Sequence, residues 1–227
     1  MTKRLIVALD TADRQQAWRW AEAAAPHCGL LKLGLEFFLA NGPSGVKHIT
    51  QAPIFLDLKL HDIPNTVAGA VRALAAIAPA MLTLHAAGGG AMIAAARQAA
   101  DEGPHPPKLL AVTVLTSFDQ PSLNATGIAG TPVDQVLRLA ELALASGADG
   151  LVCSAHEVAG LRRRFGAGPL LVVPGIRPRG AAHGDQARVM TPAEAVAAGA
   201  DYLVVGRPVT QAADPAAAAE MVAAEAA

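Results

Sequence analysis

The sequence predicts an α/β fold, a single-domain (β/α)8 TIM barrel formed by residues 1–227. Three observations lead there. Eight short apolar runs recur along the 227 residues, each followed by a stretch rich in alanine. The runs are nearly continuous in hydrophobicity rather than alternating, as expected for parallel strands covered by helices. The segment from Ala145 to Val152 is echoed from Ala197 to Val204, with Gly147 and Gly199 standing 52 positions apart. That spacing suits two successive βα units. Eight alternations in a chain of this length favour a closed barrel over an open doubly wound sheet. No linker or shift in composition divides the chain.

The first strand is read over Leu5–Leu9, followed by an amphipathic helix over Ala12–Ala24 on which Trp18 and Trp20 are packing residues. Strand two, Leu30–Leu33, precedes the weakest helical signal, around Gly45–Thr50. Strand three covers Ile54–Leu58, and Pro64 opens a helix to Ile77, because proline fits the first helical turn. Strand four is Met81–Leu84. Gly88-Gly89-Gly90 then reads as a strand-to-helix turn with a close backbone approach, before a helix over Ala91–Ala100. Leu109–Val114 pairs with Pro132–Ala145, and Gly150–Val152 with Ala155–Phe165, where Arg162-Arg163-Arg164 reads as a solvated face. Leu170–Val173 pairs with Pro192–Ala198, and Tyr202–Val205 with Pro215–Ala224. Thr131-Pro132 and Thr191-Pro192 each offer an N-cap threonine and an N1 proline. Thr191 with Glu194 also matches a capping box, so both threonines read as caps rather than catalysts.

Bulk properties narrow the functional classes. Lys and Arg number 18 against 19 Asp and Glu, a formal net charge of −1. Neither a nucleic-acid nor a membrane partner is expected from that balance. Cys28 and Cys153 lie far apart without metal-ligand spacing and read as reduced, core-packed thiols. The chain runs from Met1 directly into an apolar strand without a cleavable hydrophobic leader, and no unbroken apolar stretch approaches a membrane span. A cytoplasmic location is the expectation.

In such a barrel, chemistry belongs at the C-terminal strand ends. Those ends deliver Asp10, then Lys32 with Gly34, then Asp57, Lys59 and Asp62. His85, Thr116-Ser117, Pro174–Arg177 and Gly206-Arg207 complete the set. Strand side chains alternate, so Asp57 and Lys59 project to one face and Leu58 and Leu60 to the other. Charges of both signs at the end of a core strand are costly unless paired. Individually, Asp10 could serve a helix N-terminus, Lys32 could snorkel, and Asp62 could favour the start of the Pro64 helix. Together, two lysines and three acids at one barrel mouth read as an alternating network for catalysis. His61 and His85 read as packing or hydrogen-bonding residues. Gly206-Arg207-Pro208 offers a glycine, a guanidinium and a helix N-terminus at strand eight, a combination suited to phosphate. The stretch from Arg177 to Met190 is long for a βα connection and reads as a lid, with Gln186 able to reach the phosphate on closure.

These residues resemble the orotidine 5′-phosphate decarboxylase family. The resemblance runs through Val7–Asp10, Lys32–Gly34, the ten residues Asp57–Thr66, Leu115–Ser117, Pro174–Pro178, Gln186 and Val205–Pro208. The Asp-x-Lys-x-x-Asp core is similar to that of a wider superfamily, including Mg2+-dependent sugar-phosphate decarboxylases and aldolases, which form the alternative reading. The extension His61–Thr66 and the segment Pro174–Pro178 resemble the orotidylate enzymes specifically. The resemblance implies decarboxylation to uridine 5′-phosphate and CO2 without metal or cofactor, in a homodimer where Asp62 and Thr66 reach the partner's site. It implies that Asp10 and Lys32 hold ribose hydroxyls and Thr116 the pyrimidine edge. Arg177, Gln186, Gly206 and Arg207 would face the phosphate. Lys59, flanked by Asp57 and Asp62 and balanced by Lys32, would stay an ammonium and protonate a C6 carbanion.

Overall fold

A computed structural model describes residues 3–178 and 190–227. Its eight strands are all parallel and close on themselves in chain order, with β1 hydrogen-bonded to both β2 and β8. The strands are β1 (Leu5–Ala8), β2 (Leu30–Gly34), β3 (Ile54–Leu60), β4 (Met81–His85), β5 (Lys108–Val112), β6 (Gly150–Val152), β7 (Leu170–Val173) and β8 (Tyr202–Val205). The helices are α1 (Arg14–Ala24), α2 (Leu35–Lys47), α3 (Pro64–Leu74), α4 (Gly90–Asp101), α5 (Gln120–Ala125), α6 (Pro132–Ala145), α7 (Val158–Phe165), α8 (Pro192–Ala198), α9 (Arg207–Thr210) and α10 (Pro215–Glu225). None is long and apolar enough to cross a membrane.

Two cores explain the continuous hydrophobicity of the strands. Ile6, Leu30, Phe55, Met81, Leu110, Val172 and Val204 fill the barrel interior. Their neighbours one residue away, such as Val7, Leu31, Leu56, Leu82, Leu109, Leu171 and Leu203, pack outward with helix residues including Ala17, Val67, Ile93 and Leu139. Both strand faces are therefore dry, so no polar alternation survives in sequence.

The internal echo has a structural counterpart at the N-terminal face of the barrel. Asp149 accepts from the Leu109 backbone N–H and from Arg97 of α4. Asp201 accepts from the Leu171 N–H and from Arg162 of α7. Each aspartate thus ties the strand before its own to a helix. Gly147 and Gly199 both sit at positive φ, +98° and +110°. A Cβ at Gly147 would lie 3.0 Å from Arg97 Cγ, and one at Gly199 2.8 Å from Arg162 Cγ. Glycine at each site supplies the left-handed helix end and leaves room for the arginine stem.

Several expectations change in detail. Arg162 is not on a solvated face: it also donates to the carbonyls of Gly199, Gly166 and Pro169. The second helix occupies Leu35–Lys47 rather than Gly45–Thr50, and it is broken where Gly42 turns to φ +61° before Pro43. That Gly-Pro pair masked the helical turns preceding it. Helix α5 was unforeseen, although Asp119 caps it through the Ser122 N–H. Trp18 is exposed, whereas Trp20 packs against the core. Thr131 and Thr191 both make full capping boxes, the first with Asp134 and the second with Glu194.

Candidate active site

Counting two residues onward from the barrel-interior layer locates the polar floor of the mouth. Leu30 leads to Lys32, Phe55 to Asp57, and Met81 to Thr83; Ala8 leads to Asp10. Lys32 donates to Asp10 Oδ1 at 2.9 Å and lies 3.6 Å from Asp57 Oδ2. Lys59 donates to both Asp57 oxygens at 2.9 Å. One carboxylate therefore stands between two ammonium groups, with Asp10 as an outer acid whose side chain is 59% exposed. The helix-capping job open to Asp10 falls instead to Asp13, which accepts from Gln15 and Gln16.

Simple alternation does not carry β3 to its end. Leu56 pairs with Leu82 and Leu60 with Leu84, so three residues of β3, Asp57 to Lys59, face Thr83 alone. Lys59 absorbs the excess with φ of +50°. A left-handed conformation costs a residue with a Cβ about 1–2 kcal/mol. The displaced Lys59 N–H donates to the Thr83 hydroxyl at 2.8 Å, and that hydroxyl donates to Asp57 Oδ1 at 2.8 Å. Thr83 is fully buried. Its role was missed in the sequence, although it stands two residues from Met81 on the interior face.

Charge sets the protonation of the site. Burial pushes the Asp57 carboxyl upward, but Lys32 and Lys59, with hydrogen bonds from Lys59 and Thr83, pull it down further. The net displacement is below the usual carboxylate value, so Asp57 is an anion at neutral pH. His85 is lowered by burial and then by His61 and Lys59, against a smaller opposing pull from Asp57, so it is neutral at pH 7. The two imidazoles lie 5.3 Å apart, centre to centre.

Above this floor opens a cavity of about 170 Å³, lined by Lys32, Asp57, Lys59, Thr116 and Pro174 together with apolar Phe55, Val112, Val152 and Val204. It has cations at one wall and an apolar base, a lining suited to a small, partly anionic ligand. A neighbouring cavity of about 300 Å³ has no lysine or arginine in its lining. Cys28 and Cys153 are free and buried, and Cys153 borders the first cavity. Among the described residues, no three His, Cys, Asp or Glu side chains are grouped to hold a metal ion.

The remaining expected residues divide into three groups. Thr116 reaches the cavity from an exposed loop beyond β5, which ends at Val112 rather than Val114. Arg177 and Met190 are joined by a backbone hydrogen bond, Arg177 N–H to Met190 C=O at 3.1 Å. Gly206 caps the short α9 that begins at Arg207, and a Cβ on Gly206 would lie 3.6 Å from Asp10 Oδ2. Gly206 therefore borders the same mouth as Asp10. Asp62 and Thr66 are not brought to it: all of His61 to Thr66 is exposed, and Asp62 accepts from its neighbour's N–H, Ile63, at 2.6 Å. Gln186 and most of the expected lid lie outside the described residues.

Comparison with known proteins places this geometry in context. Residues 3–222 match the family model described as Orotidine 5′-phosphate decarboxylase / HUMPS family. A relative from Anaeromyxobacter sp. (strain K), named Orotidine 5′-phosphate decarboxylase, is 57% identical over 225 residues, covering 98% of each chain. One of the same name from Gluconobacter oxydans (strain 621H) is 54% identical, covering 96% of this chain and 95% of its own. The crystal structure of Orotidine 5′-phosphate decarboxylase from Lactobacillus acidophilus superposes with a TM-score of 0.88 at 41% identity, covering 99% of both chains.

Proposed function

The chain belongs to the orotidine 5′-phosphate decarboxylase / HUMPS family, and we propose that it converts orotidine 5′-phosphate to uridine 5′-phosphate and CO2 in pyrimidine biosynthesis. The observation that carries the reading is the row Lys32–Asp57–Lys59 along one wall of a cavity whose base is apolar. The names borne by relatives more than half identical to this chain favour the orotidylate reaction over the sugar-phosphate chemistries of the wider superfamily.

In the proposed reaction the bond between C6 and its carboxylate breaks, and the electron pair stays on C6 as CO2 leaves. Lys59 supplies a fixed ammonium beside that developing charge and then donates a proton to C6, later replaced from solvent. Because Asp57 already holds Lys59 in place, little reorganisation remains to be done as the charge appears. Asp57 is held ionised beside the departing carboxylate, and Lys32 offsets its charge from the ribose side. Asp10 and Lys32 bind ribose hydroxyls, Thr116 the pyrimidine edge, and Arg177, Gln186, Gly206 and Arg207 the phosphate. Binding the phosphate far from C6 gives the enzyme energy with which to assemble the site. No metal or organic cofactor has a part in this scheme.

The working unit in this reading is a homodimer. Asp62 and Thr66 stay at the surface of their own chain, beside an Ile63 that is 67% exposed. Each pair of residues then completes the cavity of the other subunit, and Asp62 ends the charge row as its second acid.

The test is ultraviolet absorbance of orotidine 5′-phosphate mixed with purified protein and EDTA. Loss of the orotate chromophore with stoichiometric uridine 5′-phosphate is the expected result. An unchanged spectrum, with Mg2+-dependent turnover of a sugar phosphate, would overturn the reading in favour of the superfamily's metal enzymes.

A further inference from the structure

We propose that Thr83 is a positioning residue for this reaction, its buried hydroxyl holding the Lys59 backbone and the Asp57 carboxylate in one fixed relation. The inference rests on the functional reading above. It starts from a closed ring of hydrogen bonds: Lys59 N–H to Thr83 Oγ1, Thr83 Oγ1 to Asp57 Oδ1, and Lys59 Nζ back to the same Asp57 oxygen. Both hydrogen-bonding roles of the hydroxyl are thus used within the lysine–aspartate pair.

Three features indicate that the ring serves the site as well as the fold. The bulge opposite Thr83 removes Lys59 from the β3–β4 ladder, so its N–H would otherwise be a donor without a strand partner. The φ of +50° at Lys59 is a conformation that persists only when its surroundings impose it. Thr83 is β-branched and fully buried, so its hydroxyl has few rotamers through which to escape. Removing the hydroxyl leaves Lys59 free to relax toward negative φ, and its ammonium then no longer points where the C6 charge develops. A misplacement on the scale of an ångström is enough to cost about a hundredfold in rate.

The experiment compares Thr83→Val, which keeps the shape and removes the hydroxyl, with Thr83→Ser, which keeps the hydroxyl. Thr83→Ala removes the hydroxyl together with the γ-methyl, in case the valine variant fails to fold. The valine and alanine variants should lose about 10- to 100-fold in kcat, the scale of one hydrogen bond to a charged group. Affinity for uridine 5′-phosphate should stay within about threefold, and the serine variant should keep kcat within about threefold of wild type, since the hydroxyl rather than the side-chain shape does the positioning. A kcat within twofold of wild type for valine or alanine would overturn the proposal, as would a serine variant that falls as far as valine. A carbon-13 titration of the Asp57 carboxyl provides a readout that does not depend on turnover. Its midpoint should rise in Thr83→Val, and an unmoved midpoint would also overturn the link. Should wild-type protein leave orotidine 5′-phosphate untouched, the functional reading fails, while that titration still decides whether Thr83 governs Asp57.

Discussion

Lys59 grips both oxygens of Asp57, at 2.9 Å each, although the two residues are only two apart on the same strand. A regular strand would send both side chains in parallel from its interior face. The bulge and the left-handed backbone at Lys59 instead fold the lysine back over its neighbour. Its ammonium is therefore set by main-chain geometry before any substrate arrives.

Lys59→Ala should lower turnover by about 10⁴-fold or more, because proton donation and charge stabilisation are removed together. Uridine 5′-phosphate should still bind within about tenfold of wild type. Absorbance kinetics and calorimetry on one preparation check both parts. Turnover near the wild-type rate would remove Lys59 from the proton-transfer role.

Asp57 links the site to stability and pH. Its folded-state pKa lies below its ordinary value of 3.8, so its pairing contributes stability that is full above that value. The contribution is lost as pH falls through the lower folded value. Asp57→Asn should cost about 3–5 kcal/mol at pH 7, as when a buried ion pair loses one partner. In denaturant unfolding the gap between wild type and variant should narrow below about pH 4. A gap that stays constant to pH 2.5 would contradict the assignment.

Arg207→Ala should weaken orotidine 5′-phosphate binding by about 10- to 100-fold, the scale of a charge-assisted contact. The unphosphorylated nucleoside should bind wild type and variant alike. An equal loss for both ligands would show that Arg207 does not act through the phosphate.

A shared dimeric site makes a prediction about mixtures. Lys59→Ala and Asp62→Ala chains, each inactive alone, should recover roughly a quarter of wild-type activity after unfolding and refolding together. Half of the dimers are then mixed, and each mixed dimer has one intact site of its two. No recovery, with mixed dimers demonstrated by mass spectrometry, would place Asp62 in its own chain's site or outside catalysis.

Asp149 and Asp201 should matter to stability alone. Asp201→Asn breaks the partnership with Arg162 and weakens that with the Leu171 N–H. A loss of about 2 kcal/mol is expected, lowering Tm by roughly 4–8 °C in a chain of this size. Asp149→Asn should behave similarly, and kcat should be unchanged in both, because these residues stand at the face opposite the mouth. A fall in kcat at matched stability would refute that separation.

Much of this was written in local sequence. Eight apolar runs with alanine-rich intervals determined the barrel, because strands dry on both faces have a signature independent of their partners. Pro64, Thr131, Thr191 and the glycines at 147 and 199 marked helix ends through chemistry confined to a few neighbouring residues. Asp10, Lys32, Asp57 and Lys59 were visible as charges at strand ends, where burial demands pairing. Relations between strands, by contrast, emerge only when the chain has folded. Thr83 is an unremarkable threonine until the β3–β4 bulge sets it opposite three residues at once. Arg162 reads as one of three surface arginines until Asp201 arrives beside it from a later unit. Asp62, close to Lys59 in sequence, is exposed and accepts from the Ile63 N–H, while the ammonium of Lys59 is held by Asp57. Register and closure are properties of strands meeting across the barrel, and those meetings join residues far apart in the chain.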